Sequence, residues 1–222
     1  MGFLTESQSV WREMMNIRRI FVMLMVIVMY TGCSHVAGYI DIVKEKGLSK
    51  EYLDTLDTWT RSQTVYSEFE TRVTIKATYK GTAFNQAYFK EYTRIYQLPD
   101  EERKMREDAQ INLSSDFTEF LFYAYTPEKE SNDFSKARSI WTVFLLDEKG
   151  KRINPVEIRK IDKITPVITV FYPYVNQYYG TFYSIKFPPA ADSGVKTGDA
   201  KSKIMKLIFT SVLGKVELEW KL

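Results

Sequence analysis

Cysteine and histidine are almost absent: the 222 residues contain one of each, Cys33 and His35. A single cysteine cannot close an intrachain disulfide, and one thiol with one imidazole cannot supply the several N and S ligands of a structural zinc site. His35 lies two residues from Cys33, on a segment with no periodic pattern. It therefore offers no rigid base for a Ser-His or Cys-His nucleophile. Neither Gly-x-Gly-x-x-Gly nor a phosphate-binding loop occurs, and Lys149-Gly150-Lys151 reads as a hairpin turn. An excess of one charge is lacking too. The balance of 31 Lys+Arg against 28 Asp+Glu leaves +3, too little to argue for nucleic acid as a partner. No uncharged apolar run reaches the roughly 20 residues that a membrane-spanning helix needs.

One shorter apolar run is present, and its surroundings are informative. Residues 20–31 are uncharged, Arg12, Arg18 and Arg19 precede them, and Gly32 and Cys33 follow. A basic flank, an apolar segment of about 7–15 residues and a small residue before a cleavage point make a secretory signal. Met14 and Met15 are alternative starts, and either would leave Asn16-Ile17-Arg18-Arg19 as the basic region. Met1-Gly2 opens like a myristoylation site, but Glu6 stands where that signal needs Ser or Thr.

Tyr30-Thr31-Gly32-Cys33 resembles the lipobox of bacterial lipoproteins, with Tyr30 where the family usually has Leu. The resemblance covers about the first thirty-five residues. It implies cleavage after Gly32 and a thioether-linked diacylglycerol on Cys33, with an N-acyl chain after full processing. It also implies an envelope location, and Ser34 in place of Asp implies transfer to the outer membrane, facing the periplasm. With Cys33 acylated, no free thiol remains. Losing residues 1–32 removes three Arg and two Glu and leaves the charge nearly balanced.

The expected organisation is a signal peptide at 1–32, a tether at 33–48 and one domain at 49–222. Ser49 is a plausible N-cap for a short helix carrying Leu53, Leu56 and Trp59. Residues 65–79 alternate, with Val65, Phe69, Val73, Ile75, Ala77 and Tyr79 on one face, which predicts one half-buried strand. Phe84, Ala87, Tyr88, Tyr92 and Ile95 recur at helical spacing. Pro99 with Asp100, Glu101 and Glu102 then suits the start of a second helix. Together these predict a helical hairpin at about 82–114.

Strand patterns return after Asp116. Residues 117–125 and 140–146 read as central strands buried on both faces. The segments 156–161, 167–172, 181–187, 204–213 and 216–222 follow, with Asp147-Glu148-Lys149-Gly150 as a turn and 190–202 as a loop. In the last strand Val216, Leu218, Trp220 and Leu222 are expected inward. Eight strand candidates separated by turn signals predict a mainly β fold. The expected form is an antiparallel, immunoglobulin-like β-sandwich with an inserted helical hairpin and a short N-terminal helix.

Candidate chemistry is thin. Asp116 with Glu119, or Asp147 with Asp162, are the acids to consider for a carboxylate-pair hydrolase, which needs two carboxyls about 5–9.5 Å apart in a cleft. Ser135-Lys136 and Ser202-Lys203 are neighbours that point apart on a strand. Asn132-Asp133 and Asp192-Ser193 with Asp199 are oxygen-rich but lack calcium-loop spacing. The mixed charge of 100–113 reads as a solvated helix face, with docking as its functional alternative. The strongest surface candidate is aromatic. Tyr172, Tyr174, Tyr178, Tyr179 and Tyr183 flank a short connection between two expected strands, and tyrosine suits both protein interfaces and sugar stacking.

The sequence thus reads as a lipid-anchored, non-catalytic binding or envelope-assembly module. It needs no cofactor beyond its covalent lipid, and its expected partner is an envelope protein or glycan. A hydrolase with paired carboxylates and a carrier of small ligands or lipids are the alternatives.

Overall fold

The computed structural model describes residues 47–105, 117–189 and 204–222. The signal segment, Gly32, Cys33, His35, the tether up to residue 46, residues 106–116 and the loop at 190–202 lie outside the described residues, while Leu48, expected at the end of the tether, is buried.

The chain opens with α1 (Lys50–Trp59), where Ser49 Oγ accepts from Tyr52 N. Strands β1 (Thr60–Ser67) and β2 (Glu70–Tyr79) follow as a hairpin. The expected single strand at 65–79 is therefore broken. Glu68 takes a positive φ of 56° at the turn, and the register shifts between Val65 and Tyr66. The alternation runs through this turn, so period two alone does not reveal it. Beyond the shift Phe69 leaves the inner face and stands fully exposed, while Val73, Ile75 and Ala77 are buried as expected.

Helix α2 (Thr82–Tyr96) ends at Gln97 in the left-handed conformation. Residues 100–105 are helical again, directly after Pro99, and Arg103 pairs with Asp100 at 2.8 Å. Then come β3 (Thr118–Tyr125), a 3-10 turn (Lys129–Ser131), β4 (Thr142–Leu146), β5 (Arg152–Ile153) and β6 (Glu157–Lys160). Helix α3 (Pro166–Phe171), β7 (Thr181–Phe187), β8 (Ile204–Ser211) and β9 (Gly214–Lys221) complete the order.

The fold is mainly antiparallel β. One sheet has the order β1-β2-β3-β7-β6 and the other β5-β4-β8-β9. Alternate residues of each sheet meet in one core, including Ile75, Phe120, Phe122, Ile185, Phe209 and Trp220. Fully burying a side chain of this size is worth about 1.5–3 kcal/mol. The opposite face of the five-stranded sheet carries a second apolar layer. There Leu121, Tyr123 and Phe182 pack with Tyr52, Phe84 and Phe171 of the helices. This explains why β3 is buried on both faces, as its unbroken apolar run implied.

β4 is not: Thr142 is exposed and only alternate residues are buried, because the helices cover the other sheet. The expected strand at 167–172 is the helix α3. Thr165 Oγ1 accepts from Ile168 N, and Pro166 supplies the fixed φ of a first helical residue. Capping and the burial of Phe171 outweigh the β preference of Val167, Ile168 and Val170. Leu222, expected inward, lies beyond the end of β9 and is exposed. The turn at 147–150 forms as read: Asp147 Oδ1 accepts from Lys149 N and Lys151 N, and Gly150 takes a φ of 73°.

The edge strands β1 and β9 close against each other through side chains. Gln63 Oε1 accepts from Glu217 N at 2.8 Å, and Arg61 Nε donates to Glu219 O at 2.9 Å. Two backbone groups that would otherwise template another strand are satisfied in this way.

Candidate functional site

Two surface features stand out, at opposite ends of the five-stranded sheet. The first is a groove of about 580 Å³ between α1 and α2, lined by Glu51, Asp54, Trp59, Gln86 and Lys90 among others. Its position follows from the chain path. α1 ends at Trp59, where β1 begins, and α2 begins just beyond Tyr79, where β2 ends. The Trp59 ring packs edge-on against Tyr79 at 5.8 Å, and Trp220 Nε1 donates to Trp59 O, so this wall is fixed by the core. Lys90 Nζ bonds both Glu51 oxygens at 2.8 Å. The groove thus offers an aromatic edge, a salt-bridged rim and the polar groups of Asp54 and Gln86.

The helices that form it are locked by a buried carboxylate. Glu91 of α2 is 3 % exposed and accepts from Ser49 N at 2.6 Å and Ser49 Oγ at 2.7 Å. Arg94 donates to it through Nη2 and Nε. Burial alone would raise the Glu91 carboxyl, but the bonds from Arg94 and Ser49 outweigh it and hold the group below the ordinary value. The start of α1 is thereby fastened to α2.

The second feature is the turn end. Tyr66 and Phe69 flank the β1–β2 turn, Val212 lies in the β8–β9 turn, Tyr178 and Tyr179 precede β7, and Ile140 precedes β4. These are six of the twelve exposed large apolar side chains among the described residues. The pairing puts them at one end. Ala124 near the end of β3 pairs with Thr181 at the start of β7, and Thr142 pairs with Thr210 beside the β8–β9 turn. The two sheets meet there: a Cβ added to Gly214 would lie 2.8 Å from Val65 Cγ1. A smaller pocket of about 380 Å³ opens at this end, bounded by Arg72, Tyr125, Thr126, Glu128 and Leu213 among others.

The five tyrosines singled out in the sequence do not share a surface, because the segment before β7 is a helix and loop and not a strand. Tyr178 and Tyr179 are 76 % and 66 % exposed, whereas Tyr172 and Tyr183 are 5 % and 0 %. Tyr172 packs on Phe84, Tyr88 and Phe182, and burial drives its phenol well above the usual value. The Tyr174 hydroxyl shares a 2.7 Å bond with Thr78 Oγ1. Tyr183 OH donates to Asn132 at 2.8 Å, and burial pushes that phenol up to about 12.

The acids considered for hydrolysis have separate engagements. Glu119 accepts from Lys80 Nζ and from Ser184 Oγ, each at 2.8 Å. Burial would raise its carboxyl, but the Lys80 charge and these bonds, with Lys186 further off, hold it below the ordinary value. Asp162 pairs with Lys160 at 3.2 Å, Asp147 serves its turn, and Asp116 lies outside the described residues. Asp133 accepts from Ser139 Oγ, and Asn132 Oδ1 faces Tyr183. Ser135 and Lys136 are both exposed. Ser202-Lys203, Asp192-Ser193 and Asp199 fall outside. Among the described residues no group of three or more His, Cys, Asp or Glu could hold a metal, and no helix is long and apolar enough to cross a membrane.

Sequence reading missed the groove and, apart from Tyr178 and Tyr179, the turn end. The groove residues Asp54, Gln86 and Lys90 carry no signal beyond ordinary helix polarity. Phe69 did carry one: an aromatic between Glu68 and Glu70, just after Ser67, is a turn candidate as much as a strand position. Comparison with protein-family models, with curated proteins and with solved structures finds no match for this chain.

Proposed function

We propose that this protein is a lipid-anchored, non-catalytic binding or assembly module of the bacterial envelope. The signal at 1–32 is removed, Cys33 carries the diacylglycerol and N-acyl chains, and the domain faces the periplasm from the outer membrane. Two or more acyl chains give stable anchoring where one gives only marginal binding. Confinement to a membrane raises the local concentration of the domain toward partners held at the same surface. The observation that carries the binding reading is the groove between α1 and α2. It is open, with a lining more apolar than polar, and its fixed Trp59 edge is accompanied by Glu51, Asp54, Gln86 and Lys90. An aromatic edge beside hydrogen-bonding side chains suits an envelope protein segment or a glycan. Neither Glu91 nor Glu119 has the raised pKa of a general acid, since cations and hydrogen bonds hold both carboxyls down.

The test has two parts. Intact mass of the native product should show a processed chain with an acylated Cys33; an uncut leader or a bare thiol at Cys33 refutes the anchor. A photo-crosslinker at Gln86 should capture an envelope protein or glycan, and the yield should fall with Cys33→Ala. Adducts at position 86 no more frequent than at the distant Val156 would refute the groove.

A further inference from the structure

We infer that the turn end of the sandwich seats in the interfacial zone of a lipid bilayer, so that the groove between α1 and α2 stays clear of the membrane. The inference names a second partner, the membrane surface itself, and it rests on the anchored reading above for its geometry. The apolar side chains at this end are tips, not the walls of a groove. Phe69 is fully exposed and Val212 nearly so; Tyr66 stands beside Phe69 at the same turn, and Tyr178, Tyr179 and Ile140 stand on other connections. A rigid partner would need a separate socket for each tip. A fluid interface accepts them all, and tyrosine, with its apolar ring and polar end, is a residue enriched at membrane–water boundaries. Strand spacing of about 4.8 Å places the β1–β2 turn roughly 12 Å from the loop before β7, and the second sheet lies about 10 Å behind. The tips therefore have the spread of a small footing.

The chain outside the described domain makes the bilayer the available occupant. Between Cys33 and Leu48 an extended chain spans at most about 50 Å. β2 has ten residues and so runs about 33 Å from the turn end toward the groove. An acyl group on Cys33 thus leaves enough chain for the turn end to reach the membrane. Glu68 and Glu70 flank Phe69, and Lys160 is engaged with Asp162. The β3–β4 connection at this end also exposes Lys129, Lys136 and Arg138 beside Glu128 and Glu130, a mixed charge of little net sign, so the apolar tips carry the attraction to zwitterionic lipid.

The experiment uses the acylated protein in vesicles of phosphatidylethanolamine and phosphatidylcholine. Because acylation consumes the Cys33 sulfur, Phe69→Cys, Val212→Cys or Leu222→Cys each provides one thiol for a nitroxide. Labels at 69 and 212 should collide with oxygen in preference to an aqueous nickel chelate, and the label at 222, at the far end, should not. Equal aqueous access at all three positions overturns the inference. So does protection at 69 and 212 that appears in native membranes but not in protein-free vesicles, since that would report a protein partner.

A second arm separates this from failure of the anchor. The mature chain, residues 33–222 with Cys33→Ala, has neither an acyl chain nor the apolar run at 20–31, and its partitioning onto the same vesicles should weaken about tenfold with Phe69→Ser and Val212→Ser together, with little dependence on salt. A bare thiol in the mass spectrum would refute the lipoprotein reading but leave this arm informative. Partitioning unchanged by the double substitution, or no partitioning of the Cys33→Ala chain at all, overturns membrane seating. Both substituted side chains are exposed, so an unchanged thermal midpoint confirms that the variants fold.

Discussion

The two apolar interiors on either side of the five-stranded sheet are built from different residues. Between the sheets the large side chains are Phe120, Phe122, Phe134, Phe187, Phe209, Trp141 and Trp220, with a single fully buried tyrosine, Tyr183. Under the helices they are largely tyrosines: Tyr52, Tyr123 and Tyr172, joined by the less buried Tyr88, Tyr92 and Tyr174. The difference follows from backbone hydrogen bonding. Strands in a sheet satisfy one another, so the phenylalanines between the sheets supply shape alone, and side-chain bonds there go to backbone outside the strands: Trp220 Nε1 to Trp59 O, Trp141 Nε1 to Ser131 O and Tyr183 OH to Asn132 O. Short helices leave carbonyls open at their ends. Tyr52 OH donates to Phe171 O, in the last turn of α3, at 2.9 Å, and Tyr174 OH meets Thr78, whose hydroxyl also bonds Thr60. The helical layer thus gains both area and hydrogen bonds from the same side chains.

The sharpest way to test this division is to cut the inter-sheet core. Phe122 is fully buried against Phe134, Tyr183 and Phe209. Phe122→Ala should cost about 3–5 kcal/mol in urea unfolding, from lost transfer energy and the cavity left behind. A loss below about 1.5 kcal/mol would mean that the two sheets do not share a close-packed core.

The helical layer should respond to a single oxygen. Tyr52→Phe keeps the ring but leaves Phe171 O without its buried donor, and should cost about 1–3 kcal/mol. The equivalent deletion has no meaning at Phe122, which has no hydroxyl to lose. If Tyr52→Phe is neutral, the tyrosines serve as bulk and the contrast fails.

Acid should also distinguish the two interiors. The Glu91 carboxyl is held down in the folded state, so its contribution is complete above the ordinary carboxylate value of 4.5. It is lost as pH falls below that value and through the lowered folded-state value. Stability measured from pH 7 to pH 3 should therefore decline on the acid side, and Glu91→Gln should flatten that decline while lowering stability at pH 7. The loss should appear first as weakened protection of the α1 amides, because Ser49 is the residue that Glu91 holds. An unchanged acid limb would place the pH response elsewhere, with Glu119 the next candidate.

How much of this was legible follows the same division. Strands at 118–125 and 181–187 were readable because period-two and unbroken apolar runs report burial directly. The inward set Val216, Leu218 and Trp220 was readable for the same reason. The helical layer was readable in part: α1 with its Ser49 cap and α2 were expected, but α3 was not, because it is only six residues long and is composed of Val, Ile, Thr and Phe around a Thr165-Pro166 start. Its decisive signal was the cap and not the periodicity. The turn at Glu68-Phe69 was hidden because the register shift lets alternation continue across it. Of the candidate surface, only Tyr178 and Tyr179 were foreseen as exposed rings. The groove needs α1 and α2 side by side, a relation that long-range contacts such as Ser49 with Glu91 create and local pattern does not carry.

The smallest expected effect separates tyrosines that look alike in the sequence. Tyr178 and Tyr179 lie on the loop before β7, and the local bonds that shape this loop come from Asn176, whose Oδ1 accepts from Tyr178 N at 3.0 Å. Tyr178→Ala and Tyr179→Ala remove exposed rings and should change unfolding free energy by less than about 0.5 kcal/mol. Tyr174→Phe, two residues from Asn176, removes the bond to Thr78 and should cost about 1 kcal/mol. If the Tyr178 and Tyr179 substitutions were as damaging as that at Tyr174, the loop rings would be part of the helical layer. They would then be unavailable to any partner, membrane or otherwise. If they are silent in stability yet reduce vesicle partitioning of the Cys33→Ala chain, the two roles of tyrosine in this molecule are resolved residue by residue. Inside the layer the hydroxyl closes backbone groups, and at the turn end the ring meets what lies outside.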